Sequence, residues 1–172
     1  MNLNTGIMAE PKKILIYGYG NPGRQDDGLG KALIDIAEMW AEEMKLEHLT
    51  LDTNYLLQVE DVLLMRDKDL VIFVDASMEE HVRDYHFEEV EPDSKATFTM
   101  HSVSPGYILA LYQKLFGEHP PSFLLHIKGY RWELGESITP EAEQNLEQAW
   151  VAIKKIILDP DKLLAKVCNT AI

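Results

Sequence analysis

Acidic residues stand where two apolar runs of this chain end. Asp26 and Asp27 lie in Gly18-Tyr19-Gly20-Asn21-Pro22-Gly23-Arg24-Gln25-Asp26-Asp27-Gly28-Leu29-Gly30, which follows the run Ile14-Leu15-Ile16-Tyr17. Asp75 ends the run Leu70-Val71-Ile72-Phe73-Val74. In open α/β sheets the loops at the carboxyl ends of adjacent strands border one crevice, so these carboxylates are expected near each other. Their repulsion would raise one pKa strongly unless a proton or a metal lay between them. Taken alone, each aspartate also reads as a helix cap or turn residue, Asp26 more readily than Asp27.

A third ligand should come from another loop, and His101 fits best among the six histidines. His48 begins a strand, His81 and His86 flank or line a probable edge, His119 sits in a proline-rich turn, and His126 lies within a strand. His101 lies just before the helix start Ser104-Pro105. If the preceding strand is antiparallel it ends at the wrong edge of the sheet. The nine steps from Pro92 to His101 reach up to about 30 Å, against about 20 Å for a strand. Two carboxylates and one imidazole leave open positions, as a working metal site requires.

The same glycines permit a rival chemistry. Gly18, Gly20 and Gly23 satisfy the dinucleotide fingerprint, which seats a pyrophosphate at a helix N-terminus. Against this, Gly23, Gly28 and Gly30 would fall inside the helix at roughly 1 kcal/mol each. Asp26 and Asp27 would lie against the phosphates, and the ribose-binding acid would be Asp52, which comes late. A P-loop is excluded because no Gly-Lys-Ser/Thr follows.

The elements that must position these residues are legible in outline. Ile14–Tyr17 is apolar on both faces, as in a covered central strand. Leu29, Leu33, Ile36, Ala37, Trp40 and Met44 predict a helix from about Gly28 to Lys45. His48–Leu51 is a short strand ending at Asp52, and Leu56 to Leu64 form a less tidy helical stripe. Leu70–Val74 is a strand ending sharply at Asp75. Tyr85–Val90 is polar enough for an edge strand. Ser104-Pro105 and Thr139-Pro140 each pair an N-cap with a proline at the first helical position. The first helix stops at Gly117, the second at Asp159-Pro160, and Ser122–Ile127 is a strand between them. The order predicts an α/β three-layer sandwich on a mostly parallel sheet.

Composition sets bounds. The 172 residues are expected to form one domain, with 1–11 as a loose leader and 160–172 as a tail; Met8 is an alternative start to Met1. A formal charge of −13, from 16 basic and 29 acidic residues, argues against nucleic acid and anionic membrane as partners. No apolar run approaches the roughly 18–20 residues of a membrane span. The single cysteine, Cys168, rules out an intrachain disulfide and fits a reducing cytoplasm.

The pattern Gly18-x-Gly20-Asn21-x4-Asp26-Asp27-x2-Gly30, with Val71-Ile72-Phe73-Val74-Asp75-Ala76 and His101-Ser102-Val103-Ser104-Pro105, resembles the hydrogenase maturation endopeptidases. The resemblance covers roughly residues 13–157. It implies a phosphorylase/hydrolase-like, three-layer α/β/α fold whose five-stranded sheet has one antiparallel strand. It also implies removal of a C-terminal extension from the nickel–iron hydrogenase large-subunit precursor after nickel insertion. The family's metal-contacting residues fall on Asp27, Asp75 and His101, with Asp27 and Asp75 as the catalytic candidates of an aspartic-type peptidase. Nickel would be carried by the precursor, no organic cofactor is implied, and the enzyme is expected to be a cytoplasmic monomer. Many relatives have a Gly-Gly-Thr-like stretch after the second strand, where this chain has Asp52-Thr53-Asn54-Tyr55; this looks like the branch serving soluble hydrogenases. The alternatives are a Rossmann-like nucleotide binder and a non-catalytic chaperone of a hydrogenase subunit.

Overall fold

A computed structural model describes residues 10–93 and 103–170, with side chains to residue 165. Its centre is a five-stranded sheet in the order β2-β1-β3-β5-β4. The strands are β1 (Ile14–Tyr19), β2 (Leu49–Asn54), β3 (Leu70–Ser77), β4 (Tyr85–Glu89) and β5 (Ser122–Lys128). All neighbours are parallel except β4, which runs antiparallel to β5 at the edge. The helices are α1 (Leu29–Met44), α2 (Pro105–Phe116), α3 (Pro140–Leu158) and α4 (Asp161–Thr170). None is long and apolar enough to cross a membrane.

Period-two alternation sends successive side chains of β1 and β3 into different cores. Ile14, Ile16, Ile72 and Val74 meet Leu33 and Ile34 of α1 and Ala149 and Ile153 of α3. Leu15, Tyr17, Val71 and Phe73 meet Val62, Met65, Ile108 and Leu109 beneath α2. Edge-on contact of Trp40 and Trp150, 5.5 Å between ring centres, joins α1 to α3. Fully buried side chains such as Leu33 and Ile72 each contribute about 1.5–3 kcal/mol. Both predicted caps form: Ser104 Oγ accepts from Tyr107 N at 3.2 Å and Thr139 Oγ1 from Ala142 N at 3.3 Å.

Several elements depart from the sequence-based expectation. The Leu56–Leu64 stripe becomes a 3-10 helix, Val59–Met65. Its start is pinned by Asp61 Oδ2, which accepts from Gln58 N at 2.7 Å and from the buried Tyr17 hydroxyl at 2.6 Å. β2 passes Asp52 and runs to Asn54 because β1 pairs with it through Tyr19. β3 continues through Asp75 because β5 extends alongside, pairing Asp75 with His126 and Ser77 with Lys128. The expected tail is helical over Asp161–Thr170. Pro160 ends α3, but its carbonyl accepts from Leu163 N and Leu164 N, and both leucines pack on the α1/α3 core.

Candidate active site

The loop after β1 is shaped by close backbone approaches. Gly20 has φ +129°, which side-chain-bearing residues rarely adopt, and a Cβ there would collide with the Asp27 carbonyl oxygen. Gly18 and Gly30 let α1 lie directly on the sheet, since a Cβ on Gly30 would strike the carbonyls of Tyr19 and Val74. Asn21 closes a short turn, its Oδ1 accepting from Gly23 N at 2.8 Å, while its own N–H faces Asp27 Oδ2 at 3.3 Å. Gly20 N donates to the carbonyls at the end of β2, Asn54 and Tyr55, at 3.2 Å. The glycines therefore fold the loop back on itself and present Asp27 from a 3-10 turn, Gln25–Gly28, that leads into α1. With Asp26 and Asp27 in that turn, the approach to α1 disfavours an anion.

Asp75 meets Asp27 across the crevice. The parallel register sets Gly18 beside Val74, so one step further Tyr19 and Asp75 share the face that α2 covers. Burial pushes the Asp75 carboxyl up to about 7; repulsion from Asp27 adds to this, while hydrogen bonds from the Ala76 backbone and the Tyr19 hydroxyl oppose it. Tyr19 is raised well above its ordinary value, by burial first and then by the neighbouring Asp75 charge, so its hydroxyl stays protonated and donates to Asp75. The two aspartates, Tyr19, Arg24, Tyr55 and Leu56 line a cleft of about 350 Å³. A smaller hollow of about 170 Å³ adjoins it through Gly20 and Tyr55 and continues over Thr53 and Asn54. A carboxyl that gains and loses its proton near neutrality, beside a second carboxylate, can act as base, acid or cation ligand.

Asp26 does something else. It is fully buried and accepts four hydrogen bonds, from Tyr130 N (2.8 Å), Arg131 N (3.1 Å), Thr139 N (2.7 Å) and Thr139 Oγ1 (2.9 Å). Asp26 N returns one to the Arg131 carbonyl at 3.1 Å. The carboxylate clamps the loop between β5 and α3 to the glycine loop, leaving Asp27 as the member of the pair that faces the cleft. Gln25 beside it has φ +52° and its side chain accepts from Glu133 N at 3.3 Å, which holds this strained residue in place.

Of the three predicted ligands, the structure brings Asp27 and Asp75 together, and His101 lies outside the described residues. Among the described residues no three His, Cys, Asp or Glu side chains converge to hold a metal ion. Sequence reasoning missed Tyr19 and the cleft wall of Tyr55 and Leu56. Alternation along β1 groups Tyr19 with Leu15 and Tyr17, but only the register with β3 makes this the face of Asp75, and Tyr55 and Leu56 carry no local signal. A larger cleft of about 640 Å³, lined by Lys13, His48, Thr50 and Lys68, lies at the amino ends of the strands. Ligands of open α/β sheets bind at the carboxyl ends, so position and chemistry, not size, favour the smaller cleft.

No protein-family model matches the chain, and neither does any curated protein sequence. Solved structures do match. The chain is similar to the NiFe hydrogenase maturation protease HycI from Thermococcus kodakarensis, with TM-score 0.64 and 22% identity over 88% of this chain and 96% of that one. It is similar also to the hydrogenase maturating endopeptidase HybD from E. coli, with TM-score 0.59 and 19% identity over 83% and 93% of the two chains. A hydrogenase 2 maturation peptidase from Thaumarchaeota archaeon SCGC_AB-539-E09 matches with TM-score 0.60 and 21% identity over 85% of this chain and 98% of that one. The architecture is thus a three-layer α/β/α sandwich with one antiparallel edge strand. More particularly, the fold is that of the hydrogenase maturation proteases.

Proposed function

We propose that this chain is an endopeptidase that removes the C-terminal extension of a nickel–iron hydrogenase large-subunit precursor after nickel insertion. The observation that carries this reading is the Asp27–Asp75 pair, held in a cleft at the carboxyl ends of β1 and β3. The fold of the maturation proteases supports it over nearly the whole length of those chains. Nickel already held by the precursor is recognised by Asp27, Asp75 and His101 and belongs to the substrate. In the free protein Asp75 keeps its proton over much of the range below about 7. An approaching cation displaces that proton and takes the ionised carboxylate. Precursor without nickel lacks the ion that bridges the two proteins, and so is left uncut.

Support for His101 comes from its neighbour in sequence. Val103 N donates to the Leu57 carbonyl at 3.3 Å, and Leu56 is part of the cleft wall. Val103 is two residues from His101 in sequence, and two residues span up to about 7 Å. The precursor's peptide runs over the hollow beside Tyr55 and Asn54. A carboxylate or a water polarised by the precursor's nickel serves as base for hydrolysis. The enzyme acts in the cytoplasm as a monomer. Asp27→Asn and His101→Ala should each abolish processing of nickel-loaded precursor while retaining native circular dichroism. Full cleavage by either folded variant would sink the proposal.

A further inference from the structure

We propose that the β4–β5 edge carries a second metal site, separate from the cleft, in which His86, His126 and Glu88 take an imidazole-preferring divalent ion such as Ni²⁺ or Zn²⁺. The antiparallel register pairs His86 directly with His126. Strand alternation puts Glu88 on the same face of β4 as His86, opposite the inward-facing Phe87. His126 Nε2 lies 3.2 Å from Glu88 Oε2. The His86 and His126 rings are stacked, with centres 6.4 Å apart and planes at 24°. His81 adds a third imidazole edge-on to His86, at 5.6 Å. Nitrogen donors with one carboxylate oxygen suit zinc and nickel, whereas magnesium and calcium prefer oxygen alone. A net charge of −13 favours any cation.

As the side chains stand, they do not converge on one point. A metal–nitrogen bond of about 2.0–2.1 Å puts each ring centre roughly 3.2 Å from the ion, so two rings on a tetrahedral ion lie roughly 5.2 Å apart. The His86–His126 separation of 6.4 Å exceeds this by about an ångström, and the His81–His86 separation of 5.6 Å by less. His81, His86 and Glu88 are exposed, so their side chains have solvent-side room to rotate toward a shared ion. His126, with 16% of its side chain exposed, is the fixed member around which the others turn. Because His126 is also in register with Asp75 of β3, the site lies one strand away from the cleft.

Titration calorimetry of the full chain with nickel chloride, repeated with zinc chloride, tests this. Wild type should bind with an affinity that falls at least tenfold in the His86→Ala/His126→Ala double variant and persists in Asp27→Asn/Asp75→Asn. The exposed His86→Gln variant covers the case in which His126→Ala fails to fold, and should itself weaken binding several-fold. Zinc should also shift the ring ¹⁵N resonances of His86 and His126. No binding by wild type would overturn the proposal. So would unchanged binding by folded histidine variants, or complete loss in the aspartate variant. None of these outcomes depends on precursor cleavage.

Discussion

Replacing Asp75 by asparagine should stabilise the protein in alkaline solution, by an amount that depends on pH in a defined way. The folded carboxyl titrates at about 7, against an ordinary value of 3.8, because burial and then the Asp27 charge oppose ionisation. Below 3.8 the group is protonated whether the chain is folded or not, and it costs nothing. Between the two values the unfolded chain releases the proton while the folded one retains it, so stability falls as pH rises; above about 7 the penalty is complete. Each tenfold step in acidity is worth about 1.4 kcal/mol. About two such steps lie between pH 5 and the folded midpoint, so asparagine should gain about 2–3 kcal/mol on wild type from pH 5 to pH 8.5. Urea unfolding of both proteins at these pH values, fitted with a common slope, measures the difference of differences. This comparison cancels the general pH dependence of a chain of charge −13. A gap that stays constant, or narrows as pH rises, would refute the placement of Asp75 in a buried site facing Asp27.

Further outcomes follow from the same network. Asp26→Ala removes the acceptor of four hydrogen bonds in a fully buried position and should cost on the order of 3–5 kcal/mol, read as a lowered urea midpoint. Tyr19→Phe removes a hydrogen bond that favours the ionised form of Asp75, so that carboxyl should titrate at higher pH. Precursor cleavage should then fall several-fold more at pH 6 than at pH 8, with the folded baseline retained; equal loss at both would show that Tyr19 acts only through packing.

Much of this arrangement is legible in the chain. β1 and β3 announce themselves because strands covered on both faces need unbroken apolar residues, and Ser104-Pro105 and Thr139-Pro140 carry their caps locally. The convergence of Asp27 and Asp75 follows from a rule about carboxyl ends that needs no coordinates. What escaped requires register or distance. Asp26 finds Tyr130, Arg131 and Thr139 more than a hundred positions away, and no local pattern marks such partners. Tyr19 acquires its role only when β1 is aligned with β3. α4 was hidden because Asp159-Pro160 ends one helix and, through the Pro160 carbonyl, begins another. The His86–His126 pair depends on the β4–β5 register, which the sequence leaves unspecified.

The measurement that bears most directly on the central claim is intact-mass spectrometry of nickel-loaded large-subunit precursor before and after incubation with this protein. Loss of one short C-terminal peptide is expected, dependent on nickel in the precursor and absent with Asp27→Asn. A precursor mass that stays unchanged while the two proteins remain bound would contradict it and identify a chaperone instead.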